Sequence, residues 1–453
     1  MTGLAMPAPA SVDVAPTTPT AKAPLRAWYS LAVMTIVTLI AFVDRNVLVL
    51  QAEVIRKAMS ISDVQLGLLQ GTAAAAFAAA ATFPLAWLAD RFDRRVVLAG
   101  CALFWSLAVI GCGLAQTYPQ LLLASALVGA GEAGLVPISY AIIPDIFGER
   151  QRPLANAVFA IASMSATSLA LAVCGQVIGG VGALAVHLPP ALAALAGWRL
   201  AFLAVALPAP VLLLLIATIS SRKKTIVIVA APKPELLPHV KANRATLAYF
   251  TAGLFVAFFG FNAIGAWLPV IYQRQYGIAA DKLGGMLGGI ALIALVIGLP
   301  ASLYGMRWFK ARVGVGMNVR ALWMNCAAGI VAIAAMTLTT SAWQMLAVHG
   351  AYMTMLTATM LVFPGALQAL APAPLRARTV AVLGMVSSAG SAVAPPVTGF
   401  VSDHLHGLPN GLTVAAAIVA IPALALSVLL LARSERHYVV TAGAVQRAET
   451  APA

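Results

Sequence analysis

Charge is what this sequence has least of: Asp, Glu, Lys and Arg make up 9% of its 453 residues, where a soluble globular chain carries about a quarter. With 61% hydrophobic residues and a mean hydropathy of +0.94, a water-soluble domain is excluded. Short alternating segments of the kind a membrane β-barrel needs are missing too. Cysteine is sparse: Cys101, Cys112, Cys174 and Cys326 all fall in apolar runs with neither CxxC nor ligand spacing, so they read as small buried residues rather than a disulfide framework or metal site. No P-loop, HExxH or GxSxG occurs. The sequence therefore predicts no enzyme, no cofactor and no metal.

What is there is length of apolar run. Twelve runs occur at roughly 28-51, 64-89, 96-116, 120-143, 154-181, 198-219, 246-272, 283-304, 316-339, 343-368, 379-401 and 411-432. A stretch of about 20 apolar residues crosses hydrocarbon as a helix, because only a helix satisfies its own backbone there. The expected fold class is all-α, polytopic, with twelve transmembrane helices in two six-helix bundles. The expected organisation is a disordered tail over 1-27, a first bundle over 28-219, a linker over 220-244, a second bundle over 245-432 and a tail over 433-453. The linker carries Arg222, Lys223, Lys224, Pro234 and Pro238 without a continuous apolar span. The first run is too long for a cleaved signal peptide and stays as a helix.

The net charge of +14 would suggest nucleic acid in a soluble protein, but its distribution reports topology instead. With the N-terminus assigned to the cytoplasm, 22 of the 28 Lys and Arg fall in cytoplasmic segments, 5 on the opposite side (Arg56, Lys57, Arg199, Arg274, Lys282), and Arg45 inside a span. That is the positive-inside pattern. It predicts a multi-pass inner-membrane protein with both termini cytoplasmic, and no nucleic-acid partner.

A charge in hydrocarbon costs at least ~2.5 kcal/mol on insertion scales, so intramembrane acids mark function by default. Of the 14 acids two fall well inside the runs: Asp44, in Phe42-Val43-Asp44-Arg45-Asn46, and Glu132, in Gly129-Ala130-Gly131-Glu132-Ala133-Gly134. Arg45 is the available counter-ion. Burial and a like charge both disfavour ionisation of a carboxylate pair, which suits proton coupling by Asp44 and Glu132; the bland alternative is a permanent ion cluster that locks helices together. The two acids meet only if the first helix is overlong or tilted, and continuation through Glu53 to Lys57 allows it. The GxGxxG spacing around Glu132 follows no strand, so its glycines are read as letting neighbouring helices approach, not as a dinucleotide fingerprint.

A second constellation follows the second run: Ala86-Trp87-Leu88-Ala89-Asp90-Arg91-Phe92-Asp93-Arg94-Arg95. Arginines at a span end serve topology, but Asp90 at a helix C-terminus meets the negative end of the dipole and needs a partner, such as the positive N-terminus of a helix in the other half near Thr379. This string resembles the loop between helices two and three of the major facilitator superfamily. Within that superfamily, Phe42 to Leu48, Asp63 to Gly71 and Val128 to Ala133 are similar to the spinster-like branch. The resemblance implies a secondary active transporter, proton-coupled, that moves an amphipathic lipid-like or other hydrophobic organic solute by alternating access, with a facilitator or symporter of a small organic anion as the alternative. It implies Arg45 and Glu132 as substrate-binding residues, with Asp90, Arg91, Arg94 and Arg95 as a conformational gate. The branch has an arginine seven residues before the glutamate; here that position is Ser125. The partners expected are the small-molecule or lipid substrate, protons and membrane lipids, for a monomer.

Weaker signals lie in the second half. Phe255, Phe258, Phe259, Phe261, Asn262 and Trp267 give the seventh run an aromatic surface, whose ordinary role is packing. Phe259 and Asn262 are the candidates to line a substrate cavity if they face inward. His349 reads as a structural hydrogen-bonder more readily than as a relay.

Overall fold

The computed structural model describes residues 25–185, 187–220, 236–405, 407–408 and 410–450. All regular structure among them is helical. Eleven helical stretches are long and apolar enough to cross a membrane, and the longest, Ala280–Thr337, is two helices parted at Gly314, whose φ of +67° is a left-handed value that favours glycine. The twelve spans are α1 (Leu25–Met59), α2 (Asp63–Arg91), α3 (Arg94–Leu114), α4 (Tyr118–Ile146), α5 (Arg152–Ala185), α6 (Gly197–Thr218), α7 (Arg244–Tyr276), α8 (Ala280–Val313), α9 (Met317–Thr337), α10 (Ala342–Gln368), α11 (Ala373–His404) and α12 (Gly411–Thr450).

Even-numbered spans start at one end of the molecule, and three of them start with the same local device. Ser62, Thr117 and Ser341 are each followed three residues later by glutamine, and the glutamine Oε1 accepts from the backbone N–H of its cap residue at 3.0, 3.3 and 3.3 Å respectively. This capping box satisfies N–H groups that the first helical turn leaves without partners. Other spans bend where their sequence breaks the ladder. A π-turn covers Leu68–Thr72 in α2; α4 turns at Ala133 and Gly134, immediately past Glu132; and α7 turns at Ala266 and Trp267, ahead of Pro269. Irregular backbone at membrane depth is tolerated only where protein buries it or a cavity takes it up.

The bundles α1–α6 and α7–α12 meet at the end that carries Asp63. Backbones touch there: a Cβ on Gly284 of α8 would lie 2.5 Å from the Leu171 carbonyl oxygen of α5, and one on Gly67 of α2 would lie 2.6 Å from the carbonyl of Pro395 in α11. Thr72 Oγ1 of α2 donates to the Ala392 carbonyl of α11 at 2.6 Å. At the opposite end Phe83 and Trp87 of α2 and Val382 and Met385 of α11 are exposed, so the bundles splay apart.

Two helices run beyond the ends of their apolar runs. The first helix begins at Leu25 and passes through Glu53 to Met59 instead of stopping near 51. The last helix continues to Thr450, so the segment from 433 that was expected as a tail is helical. Ser434, Tyr438 and Thr441 are buried, with Tyr438 donating to the Ala366 carbonyl at 2.9 Å and Thr441 bonding Thr246 at 2.9 Å. Most of the expected N-terminal tail, 1–24, and of the linker, 221–235, lies outside the described residues; Leu236–Ala242 at the linker's end is a short helix.

Candidate functional site

The length of α1, about 52 Å for its 35 residues at 1.5 Å each, brings Asp44 and Glu132 to one cavity. It measures about 210 Å³ and lies inside the first bundle between α1, α2, α3, α4 and α6, lined by Asp44, Arg45, Gln70, Ser125 and Glu132 among apolar side chains such as Phe42, Val109 and Phe202. The glycines around Glu132 make it possible. A Cβ on Gly129 would lie 2.3 Å from the Ala74 carbonyl oxygen of α2, and one on Gly131 would lie 2.7 Å from Trp105 Cβ of α3. The same Trp105, fully buried, donates its indole N–H to Asp44 Oδ2 at 2.6 Å.

The polar groups of this cavity are incompletely paired. Asp44 Oδ1, Glu132 Oε1 and both amide atoms of Gln70 are buried with no hydrogen-bond partner in the structure. Each such group left unsatisfied costs about 1–3 kcal/mol. Arg45 is exposed and makes no hydrogen bond or ion pair within the described residues. Ser125 lies on the wall, its hydroxyl turned to the Leu122 carbonyl at 3.2 Å. Two carboxylates, one free guanidinium and one free amide thus share a small, largely apolar space. That arrangement can take up a proton on a carboxylate, or an anionic or hydroxylated head group on the guanidinium and amide.

Gln70 is a residue the sequence reading missed. Its position in the π-turn is what aims it inward, and the usable signal was a polar side chain in the otherwise apolar Leu68-Leu69-Gln70-Gly71 stretch. Phe259 and Asn262 do not join this cavity. Asn262 on α7 gives its amide N–H to Ser391 Oγ of α11 at 2.9 Å, and Phe259 packs half-buried against the core. His349 is buried and shares a 3.3 Å hydrogen bond with the Tyr272 hydroxyl, the structural role its setting suggested.

The Asp90 loop lies at the splayed end. Asp90 is exposed and makes no hydrogen bond or ion pair within the described residues, while Thr379 Oγ1 of α11 is buried without a partner. The arginines bond inside the first bundle: Arg91 stacks on Trp87 at 4.4 Å, Arg94 donates to Asp145 at 2.6 Å and to the Ala141 carbonyl at 2.7 Å, and Arg95 pairs with Asp93 at 3.1 Å.

A second group of buried acids, also missed, closes the opposite end. Arg274 of α7 donates to Glu53 of α1 at 2.7 Å and to both oxygens of Asp63 of α2 at 2.5 and 2.8 Å. Arg56 forks onto Glu53 with two 3.0 Å bonds, and Ser402 of α11 donates to Asp63 at 2.7 Å. The Asp403 carboxylate accepts the backbone N–H groups of Asp63 and Val64 at 2.9 and 3.1 Å, capping the N-terminus of α2 from the other bundle. In the sequence Arg56 and Arg274 read as topology charges, and Glu53 lies beyond the first apolar run.

Twelve spans in two bundles, tied at one end and parted at the other, fit a carrier, and sequence comparison decides which kind. The pattern of the Major Facilitator Superfamily matches residues 34–370. The chain belongs to the Major Facilitator Superfamily. Among relatives of this superfamily member, an "MFS-type efflux pump" of Mycolicibacterium smegmatis is 32% identical over 179 residues, 40% of this chain and 38% of that protein. The "Sphingosine-1-phosphate transporter SPNS2" of Danio rerio is 32% identical over 129 residues, 28% of this chain and 24% of that protein. The aligned part thus spans less than half the length of these relatives. The fold matches over nearly the whole chain: a bacterial homologue of the human lysosomal transporter Spinster, in an inward-facing and occupied conformation, superposes with a TM-score of 0.73 at 21% identity, covering 95% of this chain and all of that one. The superfamily member is thus similar over part of its length to a spinster-family transporter and shares the fold of a bacterial spinster homologue.

Proposed function

We propose that the chain is a proton-coupled secondary transporter of an amphipathic, lipid-like organic solute, working by alternating access with Asp44 and Glu132 as the proton-exchanging pair. The observation that carries the reading is the incomplete pairing in the first-bundle cavity: Asp44 Oδ1 and Glu132 Oε1 are buried without donors, and Arg45 stands near enough to act on Glu132 electrostatically without a hydrogen bond or ion pair to either acid. Protonation turns an orphan acceptor into a donor and removes a buried charge, whereas a structural ion cluster would have closed its own bonds. Arg45 then alternates between an ionised acid and a substrate head group, since both compete for one guanidinium. With Ser125 where a second cation would stand, Arg45 carries that load alone. The apolar remainder of the wall suits the hydrophobic part of a solute, and the likeness to a sphingosine-1-phosphate transporter supports the class. Phe259 and Asn262 are assigned to the facing bundle, where they meet solute only after it leaves the first.

Both termini and the 220–244 segment are assigned to the cytoplasm from the charge asymmetry, which makes the Asp63 end external and this state open to the cytoplasm. Asp90 and its arginines are then the gate that closes the cytoplasmic side in the alternate state, Asp90 capping α11 near Thr379. Proteoliposomes with an imposed proton gradient and a panel of amphiphiles test the reading. Arg45→Ala is expected to abolish gradient-driven transport; transport by a folded Arg45→Ala protein at the wild-type rate contradicts it.

A further inference from the structure

The helical continuation of α12 carries an exposed face. Leu426, Leu429, Arg433, Arg436, His437 and Val440 recur at helical spacing and are all exposed, so one stripe runs from apolar to basic and back. No charged residue occurs between Gly411 and Ala432; Arg433 is the first, which sets it where the hydrocarbon ends and head groups begin. Neither Arg433 nor Arg436 makes a hydrogen bond or ion pair within the described residues.

Two grooves flank Arg436 and share Ala432. One, of about 540 Å³, runs between α12 and α7 past Tyr249, Val428, Leu429, Arg433 and His437. The other, of about 430 Å³, runs toward Arg320 of α9. The nearby acid is already occupied: Glu435 pairs with Arg320 and accepts the Trp323 indole N–H at 3.1 Å. Tyr249 and His437 stack with centroids 6.3 Å apart and planes within 10°, making a flat polar-tipped wall beside the arginines. The combination is two unpaired guanidiniums at head-group depth, a hydroxyl and an imidazole beside them, and an apolar groove leading into the bilayer.

We propose that this is a binding site for the phosphate of an anionic phospholipid, with an acyl chain laid along Val428 and Leu429. The site is separate from the transport cavity and does not depend on the transport reading. Its charge complementarity follows the general preference of basic pockets at span ends for acidic head groups, and the groove that continues into the hydrocarbon distinguishes a lipid from a soluble anion.

Native mass spectrometry of the purified full chain, titrated separately with phosphatidylglycerol, phosphatidylcholine and inorganic phosphate, tests it. Phosphatidylglycerol should bind in preference to phosphatidylcholine, and Arg433→Gln/Arg436→Gln should weaken it about thirtyfold. Arg307→Gln/Lys310→Gln, with the same loss of charge on α8, should leave affinity within about twofold, as should Asp44→Asn. The single variants Arg433→Gln and Arg436→Gln, each weakening binding about fivefold, serve if the double variant does not fold. Equal loss in the α8 control, unchanged affinity in the α12 variants, or inorganic phosphate occupying the site as well as the lipid would each overturn the proposal.

Discussion

Two groups of buried acids in this molecule have similar chemistry and opposite completeness. At the closed end, both oxygens of Glu53 and both of Asp63 have donors, drawn from Arg56, Arg274 and Ser402 across three helices and two bundles. In the cavity, Asp44 has one donor, Trp105, and Asp44 Oδ1 and Glu132 Oε1 have none. Buried charge is tolerated when paired and expensive when not; on the proposed function the first group holds the bundles together and the second exchanges protons. A related contrast runs along α2 and α11, which lie antiparallel. At one end Asp403, near the α11 C-terminus, caps α2 across the bundle interface; at the other Asp90, near the α2 C-terminus, is exposed and free. If the bundles rock as proposed, the made and the open cap are expected to exchange in the alternate state.

The largest effect expected from breaking this contrast is at Arg274. Arg274→Ala removes the cation shared by Glu53 and Asp63 and leaves Asp63 Oδ1 without a donor, while Arg56 still bonds both oxygens of Glu53, a loss of about 3–5 kcal/mol for a buried pair. The closed end should open, read as lengthened distances between spin labels on cysteines introduced at Ser60 and His404, together with a lower unfolding temperature. Unchanged distances would mean that the glycine contacts alone hold that end.

A smaller effect in the same direction is expected from Gly284→Val, which drives a side chain into the Leu171 carbonyl and Gly175 at a cost of about 1–3 kcal/mol. The same label pair should show a partial shift toward opening. Gly285→Val, at a neighbouring position with nothing within 4 Å, is the matched control and should leave the distances as they are.

The sequence carried the spans, their number and the Asp44, Arg45 and Glu132 grouping because each rests on a local signal: an apolar run, or a charge where charge is costly. It missed the closing network because Glu53, Asp63, Arg274 and Asp403 sit at the ends of four different spans, where charges are ordinary, and only the tertiary fold brings them together. The helical continuation of α12 is not legible for a related reason: Arg433 and Arg436 look like the close of a span, and only the burial of Ser434, Tyr438 and Thr441 shows that the helix goes on. Gln70 escaped because the π-turn that aims it leaves no mark in the hydrophobic period.

The smallest effect is expected at Gln70. Gln70→Ala removes an amide with no partner in this state, so folding stability should hold or rise slightly. Apparent affinity for substrate should fall about fivefold, the value of roughly one hydrogen bond. An unchanged affinity would remove Gln70 from the binding wall.

The central claim is that the unsatisfied acids exist to exchange protons, and the most direct measurement is transport by Asp44→Asn in proteoliposomes with and without an inward proton gradient. The variant keeps the shape of the side chain beside Trp105 and cannot ionise. It is expected to move substrate at one rate regardless of the gradient, while the wild type responds to it and Glu53→Gln, if it folds, still responds. A folded, correctly inserted Asp44→Asn protein whose transport follows the gradient as the wild type does would contradict the account.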